Sequence, residues 1–302
     1  LACKLPAPGR MTLAPMLKED GRLIGDFTLA NLGDGNWLIL GSGIAEQYHM
    51  RWFEQHLPGD GSVKVEPLGL TLTGLSIAGP AARSLLQKVT RADVSNEAFK
   101  FMDIKRFDIG MAPCLVGRVS YTGDLGYEIW MAPEYQRHVY QTLIEAGEEF
   151  GLGLFGSRAL NSLRLEKNYG SWAREYRPIY GPLEAGLDRF VAYGKQVDFI
   201  GRQAALAERQ QGGKLRLCAF VVDTGDADVI GDEPIWFEGE VRGWVTSGGY
   251  SHHSGCSVAL GYVPKEIADA SGSFEIELIG RKYKARPQKA PLFDAGRQRM
   301  LG

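Results

Sequence analysis

The sequence predicts an α+β protein whose last third is built almost entirely of antiparallel strands. Two observations carry this. Up to about residue 210, apolar segments of strand and of helix periodicity alternate. Beyond the polar, glycine-ended segment Glu208–Gly213, six short strand-like runs follow one another across short turns. They are Leu215–Val222, Glu233–Phe237, Glu240–Thr246, Ser257–Val263, Phe274–Leu278 and Arg281–Arg286. Short strands at this spacing point to a small barrel or sandwich. The expected division is 1–210 for the mixed region and 214–302 for the all-strand region.

In the mixed region, a strand at Gly25–Leu29, a turn at Asn31–Gly35 and a strand at Trp37–Leu40 form a hairpin pattern. A helix is expected over Ala45–Gln55, then strands near Leu70–Leu72 and at Leu75–Ala78. Gly79-Pro80 opens a helix through Leu86, proline being tolerated in a first turn. Tyr135–Phe150 places Val139, Leu143 and Ala146 on one helical face. Ser157 is a candidate cap for a helix carrying Leu160, Leu163 and Lys167, with Gly170 as its stop.

Composition narrows the functional classes. A chain of 302 residues with 44% hydrophobic and 23% charged residues can bury two or three cores. A net charge of −2 offers no general attraction to nucleic acid or to anionic membranes. No apolar run approaches the roughly 20 residues that span a bilayer. Cys3, Cys114, Cys218 and Cys256 are scattered without a CxxC, as expected of reduced thiols in the cytoplasm, or in the mitochondrial matrix of a eukaryote. The opening LACKLPAPGR has no initiator Met and reads as the interior of a longer chain.

The segment Arg118–Trp130, RVSYTGDLGYEIW, is the most informative. It reads as a strand, a tight turn at Tyr121–Gly126 and a second strand. The phenol of Tyr121 and the carboxylate of Glu128 stand seven residues apart across that turn. Gly123 and Gly126 would let a flat ligand approach the main chain. The combination suggests a pocket for a planar, hydrogen-bonding heterocycle. Asp26 lies within an apolar strand, and its carboxylate either enters an apolar setting that demands a donor or faces water from an edge strand. Arg158 and Arg164 read alone as structural ion-pair partners.

Other motifs are weaker. Gly41-Ser42-Gly43 precedes a helix, but Glu46 stands where a dinucleotide fingerprint needs Gly or Ala, so a plain strand-to-helix turn is expected. His252-His253 lacks further ligands at metal spacing, and adjacent strand residues point to opposite faces. No GxSxG or P-loop pattern is present.

Taken in succession, GRLIGDFTL (21–29), GSG with His49-Met50-Arg51-Trp52, GLSIAGPAARSLLQKVT (74–90), RVSYTGDLGYEIW, NSLRLEKNYGSW (161–172), PLEAGLDRFV (182–191), DFIGRQA (198–204), VTSGGYS (245–251) and VALGYVP (258–264) resemble the glycine-cleavage T-protein, or aminomethyltransferase, family. The resemblance is closest to the folate-binding C-terminal half of dimethylglycine and sarcosine dehydrogenases. It implies the aminomethyltransferase fold around a central folate site, with a C-terminal antiparallel β-barrel. It also implies capture of an iminium or aminomethyl carbon from a small amine by tetrahydrofolate, giving 5,10-methylenetetrahydrofolate. The family's catalytic aspartate falls on Asp26, its pterin-binding tyrosine and glutamate on Tyr121 and Glu128, and an aromatic wall position on Tyr169. A folate-contacting arginine falls on Leu160, with Arg158 as the basic side chain to replace it, and a tyrosine of related oxidases falls on Leu13. FAD would belong to an N-terminal flavin domain outside this sequence. The alternatives are a stand-alone T-protein, a folate-dependent demethylase, or a non-catalytic regulatory subunit of the same fold.

Overall fold

The computed structural model describes residues 1–302. Three antiparallel sheets organise the chain. The first has the order β1-β2-β3, with β1 at Met11–Leu17, β2 at Leu23–Gly33 and β3 at Asn36–Leu40. β2 and β3 are joined at Asp34-Gly35, whose φ values of 51° and 76° make the mirror-image turn that matches strand twist. Asn31, expected in that turn, is instead a buried strand residue whose amide donates to Pro6 O at 2.9 Å.

Helix α1 (Glu46–His56) follows. The strand expected near Leu70–Leu72 is a single 3-10 turn, Gly69–Thr71, closed by Thr71 N–H on Leu68 O at 2.9 Å. Gly69 has a φ of 50°, which takes the chain out of the extended region before β4 (Thr73–Ala78) begins. Helix α2 (Ala82–Val89), β5 (Ile104–Ile109), β6 (Ala112–Gly117), β7 (Gly126–Met131) and helix α3 (Pro133–Gly147) complete this unit. Its sheet has the order β4-β7-β6-β5. Leu85, Leu86 and Val89 of α2 and Val139 and Leu143 of α3 bury one face of it, each such side chain contributing roughly 1.5–3 kcal/mol.

Helix α4 (Ser157–Glu166) begins at Ser157 itself, with Gly156 before it and no hydroxyl cap. It ends before Gly170, because Asn168 takes the left-handed conformation at φ 57° and turns the chain. The polar Glu208–Gly213 segment is the last turn of helix α5 (Arg202–Gln211), stopped by Gly212 at φ 84°. Strands β8 (Leu215–Val222), β9 (Pro234–Phe237), β10 (Glu240–Ser251), β11 (Cys256–Pro264), β12 (Phe274–Leu278) and β13 (Arg281–Gln288) then close into a barrel in the order β10-β11-β8-β13-β12-β9. Helix α6 (Lys265–Ala268) covers part of it, and a final turn of helix, α7, spans Gln298–Leu301. The barrel interior is aliphatic and aromatic, including Phe220, Ile235, Val245 and Phe274. No helix is long and apolar enough to cross a membrane.

Candidate functional site

Asp26 sits in the middle strand of the first sheet, opposite Pro15 on β1. The pairing of β2 with β3 begins only at Thr28, so Asp26 lies just beyond it, half-buried and paired on the β1 side alone. Strand alternation puts Asp26 on the same face as Ala30, four residues on. Ala30 packs with Met11, Leu38 and Trp130, so this face of the first sheet looks toward the second. On β7, Tyr127, Ile129 and Met131 enter the core under α2 and α3. Glu128 and Trp130 occupy the opposite face. The two carboxylates thus lie on facing surfaces of two sheets, Asp26 on β2 and Glu128 on β7.

Neither carboxylate has a donor among the side chains. Burial pushes Asp26 up to about 7; its own backbone N–H opposes the shift and the negative charge of Glu175 adds to it. Burial alone pushes Glu128 up to about 7. Glu128 is flanked in register by Ser76 on β4 and Gly117 on β6.

The strand expected at Arg118–Ser120 is a loop, continuous with the turn expected after it. β6 stops at Gly117, and residues 118–125 form an irregular connection before β7. Neither Gly123 in this loop nor Gly126 at the start of β7 is open to a ligand. Gly123 has a φ of 78°, and a β-carbon there would lie 2.7 Å from Cγ and Cδ of Lys167. One on Gly126 would lie 2.7 Å from Ser120 Cβ and 2.9 Å from Ile77 O. The protein itself fills both spaces. Gly123→Ala should therefore cost about 1–3 kcal/mol, from the backbone conformation and from displacing a buried lysine stem. An unchanged melting temperature would show that Lys167 can move aside.

Tyr121 donates its hydroxyl proton to Gly170 O at 2.6 Å, and Tyr176 Oη accepts from Gly170 N–H at 3.2 Å. One residue, Gly170, is thus held through both its N–H and its carbonyl. The rings of Tyr121 and Tyr169 stack with an interplanar angle of 12° and centroids 6.2 Å apart. Burial raises the pKa of both phenols, so each stays a neutral hydroxyl at physiological pH.

Below this wall lies a polar hub. Arg164 Nη1 donates to Glu175 Oε2 at 3.0 Å and to Tyr169 O at 2.9 Å. Glu175 has no exposed surface; it also accepts from Ser171 N–H at 2.8 Å, from Thr246 Oγ1 at 2.6 Å and from the Ser247 hydroxyl. Thr246 and Ser247 belong to barrel strand β10, so the hub joins the barrel to the loop that carries Tyr169, Gly170 and Tyr176. Arg164 is the structural ion-pair partner that the sequence suggested. Arg158 is not: it is exposed in the first turn of α4 with no ion pair, apart from the hub.

Leu160 is half-buried, and Leu13 joins the apolar cluster of Leu17, Leu23 and Tyr176. Sequence reasoning missed Glu175 and Tyr176, whose only signal was their place just after the GSW of a recognised motif. His252 and His253 lie in the turn between β10 and β11 rather than in a strand, and His253 N–H donates to Glu166 Oε1 at 2.9 Å. No three His, Cys, Asp or Glu side chains gather as metal ligands.

With this geometry, the chain matches two family profiles in succession. The GCVT N-terminal domain covers residues 2–195, and the glycine cleavage T-protein C-terminal barrel domain covers residues 216–294. Mitochondrial dimethylglycine dehydrogenase of Mus musculus is 38% identical over 289 residues, spanning 95% of this chain and 33% of that protein. The chain thus spans about a third of the length of the curated relatives it matches first. The mitochondrial pyruvate dehydrogenase phosphatase regulatory subunit of Mus musculus is 29% identical, over 94% of this chain and 34% of that protein. The solved glycine cleavage system aminomethyltransferase T from Bartonella henselae superposes with a TM-score of 0.84 at 23% identity, over 96% of this chain and 78% of that one, a likeness of fold. Both profiles, in this order over nearly the whole length, and the closed barrel after the two facing sheets establish that the chain belongs to the glycine cleavage T-protein family.

Proposed function

We propose that this chain is a tetrahydrofolate-dependent one-carbon transfer module of a dimethylglycine or sarcosine dehydrogenase-like protein, whose FAD would be held by a flavin domain outside this sequence. The observation that carries the reading is the pair of half-buried carboxylates, Asp26 and Glu128, that face each other's sheets without a side-chain donor. Acids in this state suit a ligand that brings its own N–H groups. A reduced pterin has such donors along one edge and two amine nitrogens at its reactive centre. Tetrahydrofolate would supply the two N–H nitrogens that take up the carbon of an iminium or aminomethyl donor, the donor's amine departing with the protons they lose, and would leave as 5,10-methylenetetrahydrofolate.

The chain's own residues would divide the work. Glu128 accepts hydrogen bonds from the ring and fixes its orientation. Asp26 places negative charge, or a proton held near neutrality, beside the nitrogens where positive charge develops. Tyr121 and Tyr169 form the aromatic side of the site and help to keep water from it.

Calorimetric titration with tetrahydrofolate tests this. Wild-type protein should bind, and Glu128→Gln should bind about 10–100-fold more weakly. Since Glu128 is held at about 7 and must be ionised to accept two hydrogen bonds, affinity should fall as pH drops below 7, with proton release on binding in acidic buffer. No heat with well-folded protein would exclude folate as the ligand.

A second reading, a regulatory subunit of the same fold, is favoured by the aliphatic residues at positions 13 and 160. Binding of tetrahydrofolate without formation of methylene-folate from an aminomethyl or iminium donor would select it.

A further inference from the structure

The segment after the last barrel strand crosses back over the mixed region and is fastened at several points. Phe293 N–H donates to Glu166 O at 3.1 Å. Lys167 Nζ reaches Phe293 O at 3.3 Å and Asp294 Oδ2 at 3.2 Å, with side-chain exposures of 2% for Lys167 and 6% for Asp294. Arg299 pairs with Asp124 at 2.7 Å, and the buried guanidinium of Arg118 donates to Leu301 O. Within the segment, Asp294 and Arg297 are held at φ values of 43° and 60°. Conformations of this kind persist in residues with side chains only where the surroundings over-determine them, and they cluster at functional sites. Near the end of the segment, Met300 is buried, and its thioether accepts from the Tyr169 hydroxyl at 3.3 Å.

We propose that Asp294–Leu301 is a strap forming the outer wall of the ring site, with Met300 as a positioning residue that sets the Tyr169 ring parallel to Tyr121. The inference rests on the folate reading given above. Tyr121 is fixed through its hydroxyl to Gly170, but the ring of Tyr169 has its one polar anchor on the strap. A thioether suits that task, being apolar, polarisable and a weak acceptor. Lys167 ties the strap to the end of α4, and the absence of a side chain at Gly123 makes room for its stem. The loop, α4 and the strap thus close on one another around the two tyrosines.

The test uses Met300→Ala and Met300→Leu, with Asp294→Asn as a change that removes the charge paired with Lys167, leaves its bonds to the main-chain carbonyls of Phe293 and Asp294, and keeps a residue suited to positive φ. Three measurements apply: tetrahydrofolate dissociation constants, hydrogen exchange of residues 298–301 with and without ligand, and near-ultraviolet circular dichroism of the free protein. Met300→Ala should weaken tetrahydrofolate about fivefold or more, Met300→Leu should recover only the part due to packing because it offers the Tyr169 hydroxyl no acceptor, and ligand should slow exchange in the strap. Asp294→Asn should weaken binding in the same sense and speed strap exchange. In the free protein, Met300→Ala should alter the tyrosine band that the stacked pair produces. An unchanged dissociation constant in Met300→Ala, where wild type binds, would overturn the role of the strap and leave the folate reading standing. If wild type binds no tetrahydrofolate, the folate reading fails. The tyrosine band then decides the positioning of Tyr169 by itself, and an identical band in Met300→Ala would overturn it.

Discussion

Asp26→Asn should reduce one-carbon transfer by roughly 10²–10³-fold and at the same time stabilise the fold above neutral pH. The two effects share a cause. The carboxyl is held at about 7, against an ordinary value of 3.8, mainly because its ionised form is deprived of water. Between about pH 4 and 7 the native state therefore holds a proton that the unfolded chain releases. The stability this brings is complete below about pH 4 and lost as pH rises through 7. An amide of the same shape never ionises. The variant should therefore exceed wild type by about 2–4 kcal/mol at pH 8, with the gap shrinking steadily toward pH 4. Urea denaturation at pH 5 and pH 8 measures the gap, and methylene-folate formation measures transfer. A variant less stable than wild type at pH 8 would contradict the burial of an unpaired carboxylate.

Glu175→Ala should be the most destabilising single change, costing about 3–5 kcal/mol. Truncation leaves the Arg164 guanidinium, 4% exposed in its side chain, without its acid. It also removes the acceptor of the Ser247 hydroxyl, while that of Thr246 keeps Leu260 O at 3.1 Å. Tyr262 would still donate to the Glu175 backbone carbonyl at 2.8 Å, so the loop would not be wholly released. Replacing both members of the pair, Arg164→Met with Glu175→Leu, should recover much of the loss, because the charges are removed together. Chemical denaturation of the two single variants and the double variant gives the coupling. A loss below about 1 kcal/mol in Glu175→Ala would mean that water enters the hub.

The barrel was legible because its strands carry their own signal. Leu215–Val222 and Phe274–Leu278 have the bounds that alternation and β-branched content suggest. β10 runs further than expected, to Ser251, because Ser247-Gly248-Gly249 has little strand propensity and is held by its neighbours instead. A β-carbon on Gly248 would lie 2.6 Å from Val229 O, so the glycine is set by a passing chain and not by a turn. The strand expected at Arg118–Ser120 was misread for a related reason. Val119 and Tyr121 favour strands locally, but the tertiary partners Gly170 and Lys167 decide their conformation.

At the site, Asp26 and Glu128 stood out as carboxylates within apolar strands, and the resemblance supplied their expected roles. The hub was not legible. Glu175 and Thr246 are 71 residues apart, and no periodicity announces a hydrogen bond at that range. Arg158 and Arg164 look equivalent on paper. The fold separates them, putting one in solvent and the other in the interior.

The strap also bears on the order in which this molecule can be assembled. Half of the barrel's pairings join successive strands, and the others, β8 with β11, β8 with β13 and β9 with β12, stay within the last third of the chain, so the barrel gathers in less chain than the strap does. The contact of Arg118 with Leu301 closes a span of 183 residues, and that of Lys167 with Asp294 closes one of 127. Such long spans close late, after local pairings have drawn their ends together. The aromatic wall is thus finished only once both the second sheet and the barrel are in place. An arrested chain with every strand paired would still lack it.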